Sequence, residues 1–182
     1  MITPSEFVAQ WGEDNLIQNT PEALAGIQLS QASKLFLIEV GLPAHADFGL
    51  QFDRFKDEMP TLLEAFPNDY VFPPEYCYYR PIGVDYATII CLSEQDGGRI
   101  YSVDIDGHLP TRLMSSDVPH LAEFLLVFRR HEIWAQTTHP SEEKIKLSAL
   151  ELRDELRQRD PEAMRDEQNY WPQVMLDMIY GG

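Results

Sequence analysis

The stretch from Arg80 to Asp106 restricts the possible folds more than any other, because its alternation of side chains predicts a β-hairpin. In the first strand, one face carries Val84, Tyr86, Thr88, Ile90 and Leu92, and the other carries Ala87, Ile89 and Cys91. A strand that is apolar on both faces is usually central in its sheet. Gln95–Gly98 supplies the turn, since glycine tolerates the positive φ that hairpin loops need. The second strand places Tyr101, Val103 and Ile105 on one face and Ser102, Asp104 and Asp106 on the other.

Before this hairpin, residues that typically start and end helices predict two helices. Thr3 and Glu6 predict a capping box at the start of a helix that ends at Gly12. Ser30 predicts the start of a second helix, which ends at Gly41. The first third of the chain is therefore expected to be mainly helical.

Residues 48–80 predict a short strand followed by a long ordered connection. Phe48, Leu50 and Phe52 alternate as a strand does, and the residues after them are rich in proline and aromatic side chains. Tyrosines beside acids are typical of a protein-binding surface. The alternative is that these rings only cover an edge of the sheet. On the first interpretation, we predict partner contacts at Asp57, Glu58, Asp69, Tyr70, Glu75, Tyr76, Tyr78 and Asp85.

Helical patterns dominate the chain after the hairpin. Ser115, Ser116 or Asp117 caps a helix whose apolar stripe is Leu121, Phe124, Leu125 and Phe128. A second helix opens at Ser141, a short one follows Asp160, and the last spans Tyr170–Tyr180. Together with the hairpin, these elements predict an α+β fold. The absence of repeats and low-complexity linkers predicts a single domain over residues 1–182.

The formal net charge of −16 bears on the choice of partner. The excess lies in the first part of the chain, where the residues up to Tyr79 include 12 acids and 3 bases. A surface of this sign repels phosphate backbones, so we expect no nucleic-acid partner. It would attract a basic protein and speed the encounter. The alternative is that the acidity only keeps the protein soluble.

Two further features indicate a cytoplasmic protein. No apolar run approaches the length of a membrane span, and the N-terminal residues lack the basic start and apolar core of a signal peptide. Cys77 and Cys91 have no metal-ligand spacing, and we expect both to be reduced, buried thiols. Composition alone leaves the oligomeric state open.

The sequence contains no pattern that indicates catalysis, a metal or a cofactor. The five histidines have no helical i, i+4 spacing and no nearby cysteine ligand. Asp104 and Asp106 are two residues apart, and we interpret them as part of a solvated strand face. Gly97-Gly98 is not followed by a helix, so it is a turn and not a phosphate loop. We therefore expect a protein that is not an enzyme.

Several landmarks along the chain together resemble the SUKH superfamily, and in particular its fourth subfamily, the SUKH-4 bacterial immunity proteins. No one of them is specific, and the resemblance rests on their order over nearly the whole chain. They are Thr3-Pro4-x-x-Phe7 with Trp11-Gly12, Leu35–Pro43 followed by Phe48 and Phe52, Ile82-Gly83 before Ile89–Leu92, Gly97–Tyr101, the Phe124, Leu125 and Phe128 stripe, and Tyr170-Trp171 with Ile179-x-Gly181. One departure is Ser115-Ser116-Asp117, where the family would have Asn before the main helix.

This resemblance implies a mainly antiparallel central sheet flanked by helices, with helical N- and C-terminal segments. It also implies a protein without enzymatic activity that binds and neutralises a cognate polymorphic toxin, often a nuclease or a deaminase. The landmark residues look structural, so the family supplies no binding residue: they are Trp11, Gly12, Gly41, Leu42, Pro43, Gly83 and Trp171. An alternative within the superfamily is a regulatory or scaffolding module with no toxin partner.

Overall fold

The computed structural model describes residues 3–67 and 73–180, and an antiparallel sheet of five strands lies at its centre. The strands are adjacent in the order in which they occur along the chain: β3 (Gln51–Phe52), β4 (Tyr79–Val84), β5 (Ile89–Ser93), β6 (Arg99–Val103) and β7 (Arg112–Ser115). A separate pair joins β1 (Leu16–Ile17) to β2 (Leu42–Pro43). The α-helices are α1 (Pro4–Trp11), α2 (Gln31–Leu35), α3 (Leu62–Ala65), α4 (Val118–Thr138), α5 (Glu142–Arg159) and α6 (Tyr170–Tyr180). The predicted α+β fold with an antiparallel central sheet is confirmed.

Strand β5 is the middle strand, as its two apolar faces predicted. It pairs with β4 on one side and β6 on the other, and the turn between β5 and β6 closes with a 2.8 Å bond from the Gly98 N–H to the Ser93 carbonyl. Ile90 and Leu92 belong to the main core, whereas Cys91 lies in a smaller cluster on the opposite face. Both cysteines are free thiols, but Cys77 is only half-buried, contrary to prediction.

The predicted first strand of the hairpin is in fact two strands joined by a tight bend over residues 85–88. The Asp85 N–H donates to the Thr88 carbonyl at 2.9 Å, and this bond reverses the chain between β4 and β5. Tyr86 was predicted to lie on the strand face with Ile90, but it stands on the bend with 87% of its surface exposed. A local backbone bond outweighed the apolar alternation here.

The second hairpin strand is also shorter than predicted, because Asp104 ends it. The Asp104 carboxylate accepts bonds from the N–H groups of Asp106, His108 and Leu109 at 2.9, 2.9 and 2.7 Å. Asp104 is therefore buried inside a turn, and the prediction that it shares a solvated strand face with Asp106 is wrong. An acidic side chain that satisfies successive N–H groups favours a turn over a strand.

The strand predicted from Phe48 to Phe52 is reduced to the two residues of β3. Phe48 sits in a 3₁₀ turn (Asp47–Gly49) with a left-handed φ of 59°, and its ring packs edge-on against Phe128 with centroids 4.9 Å apart. Core packing of this ring thus replaces strand pairing. Strand β7 was not predicted from the sequence.

Most predicted helix ends are confirmed, and α2 continues as a π-helical segment, Phe36–Val40, that ends at Gly41 as predicted. The hydroxyls of Thr3 and Ser30 cap α1 and α2, and the Asp117 carboxylate caps α4 by accepting the His120 N–H at 2.9 Å. The capping box at α1 is not completed, because the Glu6 carboxylate instead pairs with Arg130 on α4. The short helix predicted after Asp160 is a series of turns.

Helix α4 lies at the centre of the main core. Trp171 of α6 is fully buried and stacks on Phe128 of α4 with centroids 4.7 Å apart. On another side of α4, the Arg129 guanidinium lies 5.2 Å from the ring centre of Trp11, which belongs to α1. Both ends of the chain are therefore held against one helix. Among the described residues, no helix is both long enough and apolar enough to span a membrane.

Candidate partner-binding surfaces

Three tyrosines lie on the face of the sheet opposite the main core, and we call Tyr76, Tyr79 and Tyr101 the tyrosine face. The ring centroids of Tyr76 and Tyr79 are 5.4 Å apart and those of Tyr79 and Tyr101 5.6 Å, both edge to face. The Tyr101 hydroxyl donates to Asp96 at 3.1 Å. Burial raises the pKa of both Tyr79 and Tyr101, so their phenols remain neutral at physiological pH. The three rings thus form an apolar surface, and the tyrosine hydroxyls and Asp96 make its edge polar.

The residues predicted from the aromatic stretch have different surroundings. Tyr76 is half-buried over the sheet, with its hydroxyl 3.4 Å from that of Thr111, whereas Tyr78 is 46% exposed. Glu75 belongs to the same 3₁₀ turn, Pro74–Tyr78. Asp69 and Tyr70 lie outside the described residues. Within this segment, the Tyr76 ring therefore covers the sheet, whereas the Tyr78 ring is exposed to solvent.

Residues 53–58, which carry three acids and two bases and which we call the acidic loop, are followed by a segment that Arg80 holds to β4. The Arg80 guanidinium donates to the Met59 carbonyl and lies 2.6 Å from the Glu94 carboxylate. The Glu94 N–H donates in turn to the Tyr78 carbonyl at 2.9 Å. Asp57 and Glu58 are exposed in this loop. A chain of contacts through Arg80 and Glu94 thus links the end of the acidic loop to the backbone of Tyr78.

Asp85 lies away from this group, at the opposite end of β4. The six residues of β4 separate it from Tyr78 by about 20 Å of extended chain. It lines a groove of about 570 Å³ with Tyr86, Tyr170 and Asp177. Burial, followed by the neighbouring Asp85 carboxylate, raises the pKa of Tyr170. Among the described residues, Asp85 is therefore separate from the predicted contacts around Tyr78.

Tyr86 is the residue in this groove that the sequence prediction missed. Its ring lies on the backbone of Gly49, where an added Cβ would come within 2.3 Å of the ring. One side of the Tyr86 ring is thus packed against the Gly49 backbone, while 87% of the surface of Tyr86 is exposed. The signal available in the sequence was the polar Asp85 that interrupts the apolar alternation just before Tyr86.

The landmark residues occupy positions where the backbone is crowded or buried. A Cβ at Gly41 would lie 2.3 Å from the Ile17 carbonyl oxygen, and one at Gly83 would lie 2.2 Å from that of Gln51. Gly12 ends α1 with a φ of +78°. The remaining landmarks are buried: Trp11, Leu42, Pro43 and Trp171.

The histidines take part in local polar contacts. His120 Nδ1 lies 2.7 Å from the Asp117 carboxylate, and this hydrogen bond raises the pKa of His120. His131 Nε2 lies 2.9 Å from the Ser148 hydroxyl, and burial lowers the pKa of His131. Within residues 3–67 and 73–180, no three His, Cys, Asp or Glu side chains are grouped so as to hold a metal ion.

Comparison with known proteins gives one match. The model of the SUKH-4 immunity protein family matches residues 2–177, which include both the tyrosine face and the Tyr86 groove. No curated protein and no solved structure shows significant similarity to the chain.

Proposed function

This chain belongs to the SUKH-4 immunity protein family, and from that premise we propose that it binds a cognate toxin protein and blocks the active site of that toxin. The family supports a role as a bacterial immunity protein. The observation that carries the finer proposal is the net charge of −16, combined with exposed acids beside exposed aromatic rings. Such a surface attracts and fits a basic protein.

We propose that the toxin is a nuclease or a deaminase with a basic substrate cleft. Proteins that grip nucleic acid expose lysine and arginine to the phosphates. An acidic partner competes for the same basic surface. It is attracted to that surface electrostatically, and the range of this attraction decreases as the salt concentration rises. Blocking the cleft by binding needs no catalytic group on this chain.

The proposed contact is the acidic loop together with Tyr78, Tyr76 and the neighbouring Glu75. Asp57 and Glu58 are exposed and Tyr78 is 46% exposed, so these groups are available to a partner. Tyrosine contributes a large rigid area to interfaces at low entropic cost, and the acids at its rim favour a basic cleft. Asp69 and Tyr70 remain part of the predicted contact.

Asp85 and Tyr86 form a second proposed contact with the same chemistry. The ring of Tyr86 is held by the Gly49 backbone, so little freedom would be lost when a partner covers it. Asp85 and Asp177 line the same groove together with one base, Arg112, so its acids outnumber its bases by one. A basic side chain of the toxin would meet both an aromatic ring and an acid there.

The first test is growth of a bacterial host that expresses the C-terminal domain encoded next to this gene, with and without this chain. Toxicity that this chain suppresses would support the proposal. Killing that persists despite expression of the chain would contradict it. A neighbouring domain that is harmless would instead favour the regulatory module.

The contact surface is tested by two matched charge reversals. The variant Asp57→Lys/Glu58→Lys reverses an exposed pair on the proposed contact, and Glu142→Lys/Glu143→Lys reverses an exposed pair at the start of α5. We expect the first to weaken toxin binding about tenfold more than the second and to reduce the salt dependence of association. Equal losses would show that only the net charge matters.

The second contact is tested with Tyr86→Ala. Its control is Leu147→Ala, which removes a side chain that is 56% exposed on α5. We expect Tyr86→Ala to lower the affinity for the toxin and Leu147→Ala to leave it unchanged, because an ordered aromatic ring contributes more than an isolated exposed leucine. Unchanged affinity of Tyr86→Ala would remove the groove from the interface.

A further inference from the structure

Five of the ten arginines of this chain are paired with a carboxylate at 3.2 Å or less. They are Arg80 with Glu94, Arg99 with Glu162, Arg129 with Asp47, Arg130 with Glu6, and Arg159 with both Glu123 and Glu155. The chain has 30 acids and 14 lysines and arginines, so acids outnumber bases about twofold. Arginines that line one cleft without such a close partner therefore stand out against the charge of the rest of the chain.

Three arginines do converge, in a cleft between α5, α6 and the turns that join them. Arg153, Arg157 and Arg165 line this space of about 150 Å³, which we call the arginine cleft. Within the described part of the chain, Arg157 and Arg165 form no ion pair. Arg153 is 3.6 Å from Asp154, whose side chain is 61% exposed, and its buried Nε has no hydrogen-bond partner among the described residues.

The floor and rim of the arginine cleft are apolar. Met164, Met175 and Ile179 are buried at its base, while Leu176 and Tyr180 at the rim are 38% and 75% exposed. The cleft has room for about five water molecules, so it suits one anionic group with a short apolar body.

The charges that face the cleft favour an anion. Glu167 also lines it, and within residues 73–180 it forms no ion pair with the arginines. The three arginines of the cleft are thus opposed by this one carboxylate and by the exposed Asp154, which lies 3.6 Å from Arg153. Guanidinium binds carboxylate and phosphate through two parallel hydrogen bonds, a geometry that water does not reproduce.

We propose that the arginine cleft binds a single carboxylate or phosphate group carried on an apolar body. A polyanion such as nucleic acid is disfavoured, because the net charge of −16 repels a chain of phosphates at long range. A lone anion feels mainly the nearby arginines, since salt screens the more distant acids. The apolar base adds contact area for the body that carries the anion.

The test is titration calorimetry of the full chain with three small probes of similar shape. Phenyl phosphate and phenylacetate carry the two candidate anions on an aromatic body, and benzyl alcohol carries none. We expect saturable binding of one or both anionic probes, which weakens as salt rises. Saturation by phenyl phosphate alone assigns a phosphate ligand, and saturation by phenylacetate alone assigns a carboxylate. Saturation by neither, or equal binding of benzyl alcohol, overturns the proposal.

The site is located with matched arginine variants. Arg157→Gln/Arg165→Gln removes two exposed charges of the cleft, so the fold is retained, and Arg54→Gln removes an exposed arginine of the acidic loop. We expect the double variant to bind the anionic probe about tenfold or more weakly and Arg54→Gln to bind it as the unmodified chain does. Equal affinity of the two variants overturns the assignment. Growth protection by the chain is a separate measurement, so either result leaves the proposed function to its own test.

Discussion

Three glycines allow the cost of backbone strain to be separated from the cost of a steric clash. Gly12 has a φ of +78° and open space around the position of a Cβ. Gly83 has an ordinary φ, but its Cβ would lie 2.2 Å from the Gln51 carbonyl oxygen. Gly41 combines a φ of +84° with a Cβ 2.3 Å from the Ile17 carbonyl oxygen. The substitutions to alanine therefore test strain alone, clash alone and both together.

The magnitudes follow from these geometries. Gly12 and Gly41 combine a φ near +80° with a ψ of 139° and 176°, a backbone conformation that is almost restricted to glycine. It costs an L-residue about 1–3 kcal/mol, which is the expected loss in free energy of unfolding for Gly12→Ala. Overpacking against a fixed neighbour costs about 1–3 kcal/mol, which is expected for Gly83→Ala because the opposing atom belongs to paired backbone. Gly41→Ala should lose about the sum, roughly 2–6 kcal/mol. That loss is a large part of the about 5–15 kcal/mol that stabilises a typical protein.

The assay is equilibrium unfolding in urea, with each variant compared with the unmodified chain at one pH and temperature. The midpoint should fall most for Gly41→Ala and less for Gly12→Ala and Gly83→Ala, with the slope unchanged. If Gly41→Ala were no less stable than Gly12→Ala, the close approach of β1 to Gly41 would not be rigid. The inference that Gly41 is required for packing, and not only for its φ, would then be refuted.

Two further predictions concern polar groups around the start of α4. Asp160 is 2% exposed and its carboxylate accepts four hydrogen bonds. Asp160→Ala should therefore lower the free energy of unfolding, measured in urea, by about 3–5 kcal/mol. The control Asp154→Ala, at an exposed position, should lower it by about 0.5 kcal/mol or less. The hydrogen bond to Asp117 raises the pKa of His120 in the fold above 6.5, so its stabilisation is complete below that pH and is lost as pH rises through the folded pKa. The stability of the unmodified chain relative to His120→Gln should therefore fall as pH rises above 6.5, and a pH-independent difference would contradict the ion pair.

The sequence predicted those elements whose causes are local and repeated. The two apolar faces of β5 marked it as the central strand, because only a strand covered on both sides carries such a pattern. Ser30 was identified as a helix cap, and Asp117 was one of three candidates with Ser115 and Ser116, because such side chains bond to backbone N–H groups three residues ahead. These interactions span few residues and leave a readable pattern.

The errors arose where one specific contact outweighed the periodic pattern. Asp104 has the position of an exposed strand residue, but its carboxylate gathers three N–H groups and buries itself in a turn. Phe48 alternates with Phe52, yet its ring packs against Phe128, which lies 80 residues further along the chain. A contact between rings so far apart in the sequence cannot be predicted from local alternation, because no residue near Phe48 indicates it.

The candidate surfaces were only partly accessible to sequence reasoning. Tyrosines beside acids indicated the segment around Tyr78, and in the fold Arg80 links β4 to Met59, the residue after Asp57 and Glu58. The support of Tyr86 by Gly49 and the meeting of three arginines at α5 and α6 depend on how distant segments pack. Composition reports which residues are present, whereas a surface depends on which of them meet.

The two borders of the central sheet limit how a partner can attach. The outer strand β3 has two residues, and the Phe52 N–H on its outer side already donates to the Ala44 carbonyl at 3.2 Å. The opposite border, β7, has four residues and lies against α4 and α6. Within the described chain, the sheet thus offers no long row of free backbone groups on which a foreign strand could add itself. Under the proposed function, recognition would then depend on surface side chains and loops, so that point substitutions there would redirect a related chain to a new toxin while its scaffold remains the same.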